Sequence, residues 1–149
     1  MERGLAQVVS IENVEGAFVC DNAGDVIAAS APAVLATITM NHLGRELGRA
    51  FTAMEAAGQA ATRLELRYDS WLLLATDVGP ALLLVVCRPA VDLPVLRMTV
   101  DMVATGWRKD GSAQKRMRRN TNAVRRDLVT RAPMDDVSQR TWRFIDSHA

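Results

Sequence analysis

The chain has no apolar run long enough to cross a bilayer. Its longest, residues 71–75 and 81–87, are each about one strand long, well short of the roughly 20 residues a spanning helix needs. Met1-Glu2-Arg3 leads into mixed polar sequence with no signal-type apolar stretch, so the expected location is cytoplasmic. Cysteine is scarce: Cys20 and Cys87 each lie inside an apolar stretch, which excludes a disulfide framework and makes each thiol a small hydrophobe. The two histidines, His42 and His148, stand far apart, and no HxH, HExxH or CxxC spacing occurs, so no metal site is expected. Phosphate-cradling GxxxxGK[ST] and GxGxxG loops are missing, as is a GxSxG elbow. The adjacent acids Asp135-Asp136 read as helix capping, not as a catalytic pair. No residue presents itself as a nucleophile or general base, so the chain reads as a non-enzyme without a cofactor.

What is present suffices for one core. With 149 residues, 49% of them hydrophobic and 23% charged, the chain is long enough for one ordinary domain and too short for two. The net charge of +1 hides a split. Residues 1–106 hold 7 basic against 12 acidic side chains, a net of −5, and residues 107–149 hold 11 against 5, a net of +6.

Residues 2–10 can form a short helix with Leu5, Val8 and Val9 on one side, too short to persist unpacked. Residues 16–20 read as a buried strand, Asp21-Asn22-Ala23-Gly24-Asp25 as a tight turn, and residues 26–29 as the returning strand. From Pro32 to about residue 57 the period becomes helical: Met40, Leu43, Leu47, Ala50, Phe51 and Met54 recur at spacings of three and four. Pro32 suits the first turn and Gly58 the C-terminal cap. Residues 61–69 alternate, with Leu64, Leu66 and Tyr68 on one face and Arg63, Glu65, Arg67 and Asp69 on the other. Strands at 71–76 and 81–87 follow, the latter apolar on both faces and therefore central. Asp92 caps a last core helix to about Gly106 with Val95, Leu96, Thr99, Val100, Met102 and Val103 as its apolar stripe. This order makes an α/β sandwich of residues 1–106, not a doubly wound fold. Residues 107–112 read as a hinge into a basic C-terminal extension, 107–149, partly helical or disordered, with a short amphipathic helix over 135–148.

Three passages together resemble the roadblock domain family. Residues 13–28, with Val14-Glu15-Gly16-Ala17 and Asp21-Asn22-Ala23-Gly24, look like its opening hairpin. Leu64-Glu65-Leu66-Arg67-Tyr68 followed by Trp71-Leu72-Leu73-Leu74 resembles its central strands. Asp92-Leu93-Pro94-Val95-Leu96-Arg97 is similar to the entry into its last helix, with Pro94 where a glycine-like residue is usual. The resemblance covers about residues 2–106 and implies a roadblock/longin-like fold: a five-stranded antiparallel sheet with the long helix on one face and the N- and C-terminal helices on the other. It places the first and fifth strands side by side, so Cys20 and Cys87 are expected as neighbours. It also implies a dimer joined through the third strands with the long helices side by side, and a non-enzymatic role as an adaptor or scaffold around small Ras-like GTPases.

The residues support the dimer independently. An edge strand offers unpaired backbone groups to a second chain, and residues 63–69 carry self-complementary charges. Antiparallel pairing centred on Leu66 opposes Glu65 to Arg67 and Arg63 to Asp69; centring on Glu65 opposes like charges. The expected interface is Arg63, Leu64, Glu65, Leu66, Arg67, Tyr68 and Asp69, with Leu43, Leu47 and Phe51 from the long helix. The competing reading is an edge blunted by its own charges. In the extension, Lys115, Arg116, Arg118, Arg119, Arg125 and Arg126 lie within twelve residues. They read as a solvated tail, as a dock for an acidic protein surface, or as a contact to nucleic acid or an anionic membrane. The last is disfavoured by the absence of interleaved aromatics and by the thin apolar face of Met117, Val124 and Leu128. The function expected is thus a homodimeric adaptor, paired with itself or another roadblock protein, that scaffolds or regulates a small GTPase. The alternative is a regulator that binds nucleic acid or an anionic surface through the basic segment.

Overall fold

A computed structural model describes residues 1–30 and 37–128, with side chains for 1–30 and 39–119. The helix start at Pro32, the side chains of Arg125 and Arg126, and the final helix over 135–148 lie outside the described residues.

The elements run α1 (Glu2–Val9), β1 (Val14–Asp21), β2 (Val26–Ser30), α2 (Thr37–Ala56), β3 (Arg63–Arg67), β4 (Leu72–Asp77), β5 (Ala81–Cys87), α3 (Leu93–Lys109) and α4 (Gly111–Leu128). The five strands form one antiparallel sheet in the order β2-β1-β5-β4-β3. β5, buried along its whole length, lies in the middle, as its two-sided apolar sequence requires.

Alternation along the strands splits the core into two layers. Phe18, Cys20, Leu73, Ala75, Leu82 and Leu84 face α2 and meet Met40, Leu43 and Leu47. Val19, Leu72, Leu74, Leu83 and Val85 face the other way, against Leu5 and Val8 of α1, Leu96, Val100 and Val103 of α3, and Met117 of α4. The long helix therefore covers one face and the terminal helices the other, as the resemblance implies. Two glycines let helices approach closely. A side chain at Gly4 would meet Trp107 and Val103 at 2.9 Å, and one at Gly44 would meet the Cys20 sulfur at 2.6 Å.

Local signals place the ends. Asp21 Oδ1 accepts the amides of Ala23 and Asp25 around Gly24, whose φ is +90°. Gly58, at φ +74°, follows α2. Asp92 accepts the Val95 amide, and Pro94 sits in the first turn of α3, where its missing N–H costs nothing.

Two expectations are corrected. β1 and β5 do pair, yet Cys20 faces Leu82 while Cys87 faces Val14, at opposite ends of the ladder. The two thiols also lie in different core layers. Adjacent strands bring together only the residues that share a register. The hinge over 107–112 contracts to a single break at Asp110, because Trp107 is a core residue and carries α3 on to Lys109. Asp110 then caps α4 through Ser112 and Ala113.

Candidate functional site: two sheet edges

Among the described residues neither β2 nor β3 has a second strand beside it, and an unpaired edge is a template for another chain. Their free backbone groups can be located. Asp77 donates its amide to Thr62 O, and Tyr68 donates to Trp71 O. Even-numbered residues of β3 thus spend their backbone groups on β4. Arg63, Glu65 and Arg67 turn theirs outward. Among the described residues nothing covers that row.

The side chains of β3 divide as the sequence predicts, but the charged face is not simply solvated. Leu64, Leu66 and Tyr68 pack on the α2 layer. Glu65 accepts from Arg97 Nε at 2.6 Å and Nη2 at 2.7 Å, and Arg63 is bonded to Asp101. The two rungs match because four helical residues advance about 6.0 Å and two strand residues about 6.6 Å. The Arg97 hydrogen bonds hold the Glu65 carboxyl below its usual range. Arg67, Asp69 and Ser70 are exposed, and Arg67 makes no side-chain hydrogen bond or salt bridge among the described residues. Of the helical residues expected at the interface, Leu43 and Leu47 are each only 4% exposed and belong to the core. Phe51 is partly buried at its margin.

The β2 edge is capped at its Val26–Ile27 end. Its ladder with β1 skips Ile27: Val19 faces Ala28 and Cys20 faces Val26. That bulge leaves the Ile27 carbonyl off the ladder, and Arg116 of α4 donates to it at 3.2 Å. The Val26 amide donates to Asn41 Oδ1 of α2 at 3.1 Å. Arg116 also binds Glu2 at 2.7 Å and holds that carboxyl down to about 2. Sequence reasoning missed this role for Arg116; the available signal was the spacing of Trp107, Ala113 and Met117, all buried.

The basic segment is therefore divided. Arg116 is engaged with the fold, while Lys115, Arg118 and Arg119 are exposed. Lys115 and Arg119, four apart, share the outer face of α4. On α3, Val95, Met98 and Met102 are exposed apolar residues.

The rest of the molecule offers little chemistry. Among the described residues no cluster of His, Cys, Asp or Glu could hold a metal ion, and no helix is long and apolar enough to cross a membrane. Burial pushes the Cys87 thiol up to about 12 and Cys20 higher still, so neither is a nucleophile at neutral pH. His42 is buried, and its Nδ1 has no hydrogen-bond partner among the described residues. Burial and Arg45 lower its pKa, favouring the neutral ring.

No family model and no curated protein matches the sequence. Solved structures do. A Roadblock/LC7 domain from Streptomyces avermitilis matches with a TM-score of 0.64 at 16% identity, over 72% of this chain and 94% of that one. The structure of MglB from Myxococcus xanthus matches at 0.61 and 16% identity, over 72% and 93%. One titled MglB with tetrameric arrangement matches at 0.66 and 15% identity, over 77% and 88%. The chain thus has the roadblock-type fold.

Proposed function

We propose that this chain is a non-catalytic homodimeric adaptor of the cytoplasm that pairs through β3 and regulates or scaffolds a small Ras-like GTPase. The observation that carries the dimer is the asymmetry of the edges: β2 is bulged and capped at Val26 and Ile27 by Asn41 and Arg116, while β3 presents the backbone of Arg63, Glu65 and Arg67 without a bulge or cap among the described residues. The GTPase half rests on the resemblance to roadblock proteins; the MglB structures support the fold which that resemblance implies.

In the register centred on Leu66, Arg67 of each chain faces Glu65 of the other. Because α3 already neutralises Glu65 and Arg63 within the chain, Arg67 decides the register: it meets Glu65 when centred on Leu66 and Arg63 when centred on Glu65. Leu43 and Leu47, being core, support the interface from beneath; Phe51 and the strand make the contact.

The test uses Arg67→Pro, which removes an outward N–H without taking a bond from β4. Wild type should be a dimer by light scattering and the variant a monomer; a monomeric wild type would contradict the pairing. For the partner, the dimer should bind a small Ras-like GTPase with an affinity that depends on the loaded nucleotide. Failure to bind candidate GTPases in either state would contradict that half. The nucleic-acid alternative has less to draw on among the described residues: Met117 and Arg116 turn one side of α4 toward the fold, leaving Lys115, Arg118 and Arg119 exposed.

A further inference from the structure

α1, α3 and α4 pack on one face of the sheet through a shared core layer, so the sides they turn away from it form one outer surface. With about 100° per residue, a helical residue two places from a buried one points about 160° away from it. Leu5, Val100 and Met117 are fully buried in that layer. The residues two places to either side of them are therefore outermost: Arg3 and Gln7, Met98 and Met102, Lys115 and Arg119. All of these are exposed.

This surface differs from the rest of the molecule in two respects. The large apolar side chains exposed among the described residues, Val95, Met98 and Met102, all lie on it. They follow one another at spacings of three and four along the crest of α3. Around them the unpaired charge is of one sign. Arg3, Lys109, Lys115, Arg118 and Arg119 are exposed and make no side-chain hydrogen bond or ion pair among the described residues. The acids of these helices are engaged: Glu2 with Arg116 and Asp101 with Arg63, while Asp92 and Asp110 accept amides in the first turns of α3 and α4. Across the sheet, α2 exposes no large apolar side chain among the described residues, and its Arg49 is paired with Glu46.

We propose that the outer surface of α1, α3 and α4 docks on an anionic lipid surface, with Val95, Met98 and Met102 entering the headgroup region and the exposed cations meeting the anionic headgroups. Charge and shape both select this occupant. Unpaired cations attract anionic lipid, and buried apolar area adds to that attraction at the interface. An acidic peptide helix needs an apolar groove walled on both sides, whereas here the apolar residues crown a ridge. α4 cannot supply the apolar contact, because Met117 is in the core; α3 supplies it instead. The proposal does not depend on the β3 dimer. Where that dimer forms, residues opposed across the antiparallel pair share a sheet face, so both copies turn this layer the same way and bind together. The α2 layers then face away from the lipid.

The experiment is co-sedimentation of the full-length chain with phosphatidylcholine vesicles, with and without phosphatidylserine. Wild type should bind only the vesicles with phosphatidylserine, and less as salt rises. Lys115→Gln with Arg119→Gln should weaken binding about 30-fold, roughly five-fold per cation. Met98→Ser with Met102→Ser, at positions more than half exposed, should leave the fold intact and weaken binding about ten-fold. If that double methionine variant binds as wild type does, the contact is charge alone and the proposal is overturned. Wild type that binds neither vesicle, or both equally, overturns it too. No vesicle binding, with a solution mass that drops in the double methionine variant, would assign the face to a second copy instead. Orientation is read separately. Cys20 and Cys87 are buried, so Met102→Cys and Arg49→Cys each present an accessible thiol for a polarity-sensitive fluorophore. The label at 102 should shift to the blue on phosphatidylserine vesicles and the label at 49, on α2, should not; any other pattern would overturn the proposal. A monomeric wild type, which defeats the β3 reading, should still show the lipid preference and the label pattern.

Discussion

The two edges of one sheet are protected in opposite ways. β2 is uncharged and depends on distant elements: Asn41 reaches it from α2 and Arg116 from α4. β3 is charged; Glu65 and Arg63 are held from one side by Arg97 and Asp101 of α3, while Arg67 makes no side-chain hydrogen bond or salt bridge among the described residues and the backbone row stays open. The difference shows that a charged edge is not necessarily a defended one. Where a neighbouring helix pairs some of the charges, the strand keeps its pairing capacity, and the charge left over, here Arg67, sets the register.

Breaking the covered side should cost the most stability. Met117→Ala removes a fully buried side chain and is expected to destabilise the fold by about 2–5 kcal/mol in denaturant melts. Arg67→Pro, on the open side, is expected to cost under about 1 kcal/mol. Equal costs would mean that the β3 row is already in use within the chain. Asn41→Ala, which strips the acceptor from the Val26 amide, should cost about 0.5–1.5 kcal/mol and speed amide exchange in β2 while leaving β3 unchanged.

The smallest effect sharpens the β3 side. Glu65→Gln weakens the pairing with Arg97 at a half-exposed site, for a loss of about 1 kcal/mol or less. Its signature is in pH. Glu65 is lowered in the folded chain, so its contribution is complete above the ordinary glutamate range and fades as pH falls through the folded value. The stability difference between wild type and Glu65→Gln should therefore narrow on acidification below about pH 4.5. A difference that widens instead would contradict the assignment.

Local chemistry was legible in advance. The Asp21 turn, the Gly58 cap, the Asp92 cap and the alternation of β3 follow from residue type and period, and the family pattern supplied the layer order. What escaped was non-local. Glu65 finds Arg97 32 residues away and Arg63 finds Asp101 38 away, and no periodicity links them. Cys20 and Cys87 were placed together because adjacency of strands was readable but register was not. The basic composition of 115–119 masked a docked helix, because only Ala113 and Met117 on that turn are apolar and buried. One cation, Arg116, was read as part of a patch when its work is to satisfy the Ile27 carbonyl.

The most direct test of the open-edge account is the solution mass of the full-length chain, wild type and Arg67→Pro, over a range of concentrations. The account predicts a dimer for wild type and a folded monomer for Arg67→Pro. A wild type that stays monomeric throughout, or a variant that remains dimeric, would show that β3 is not where the chains meet.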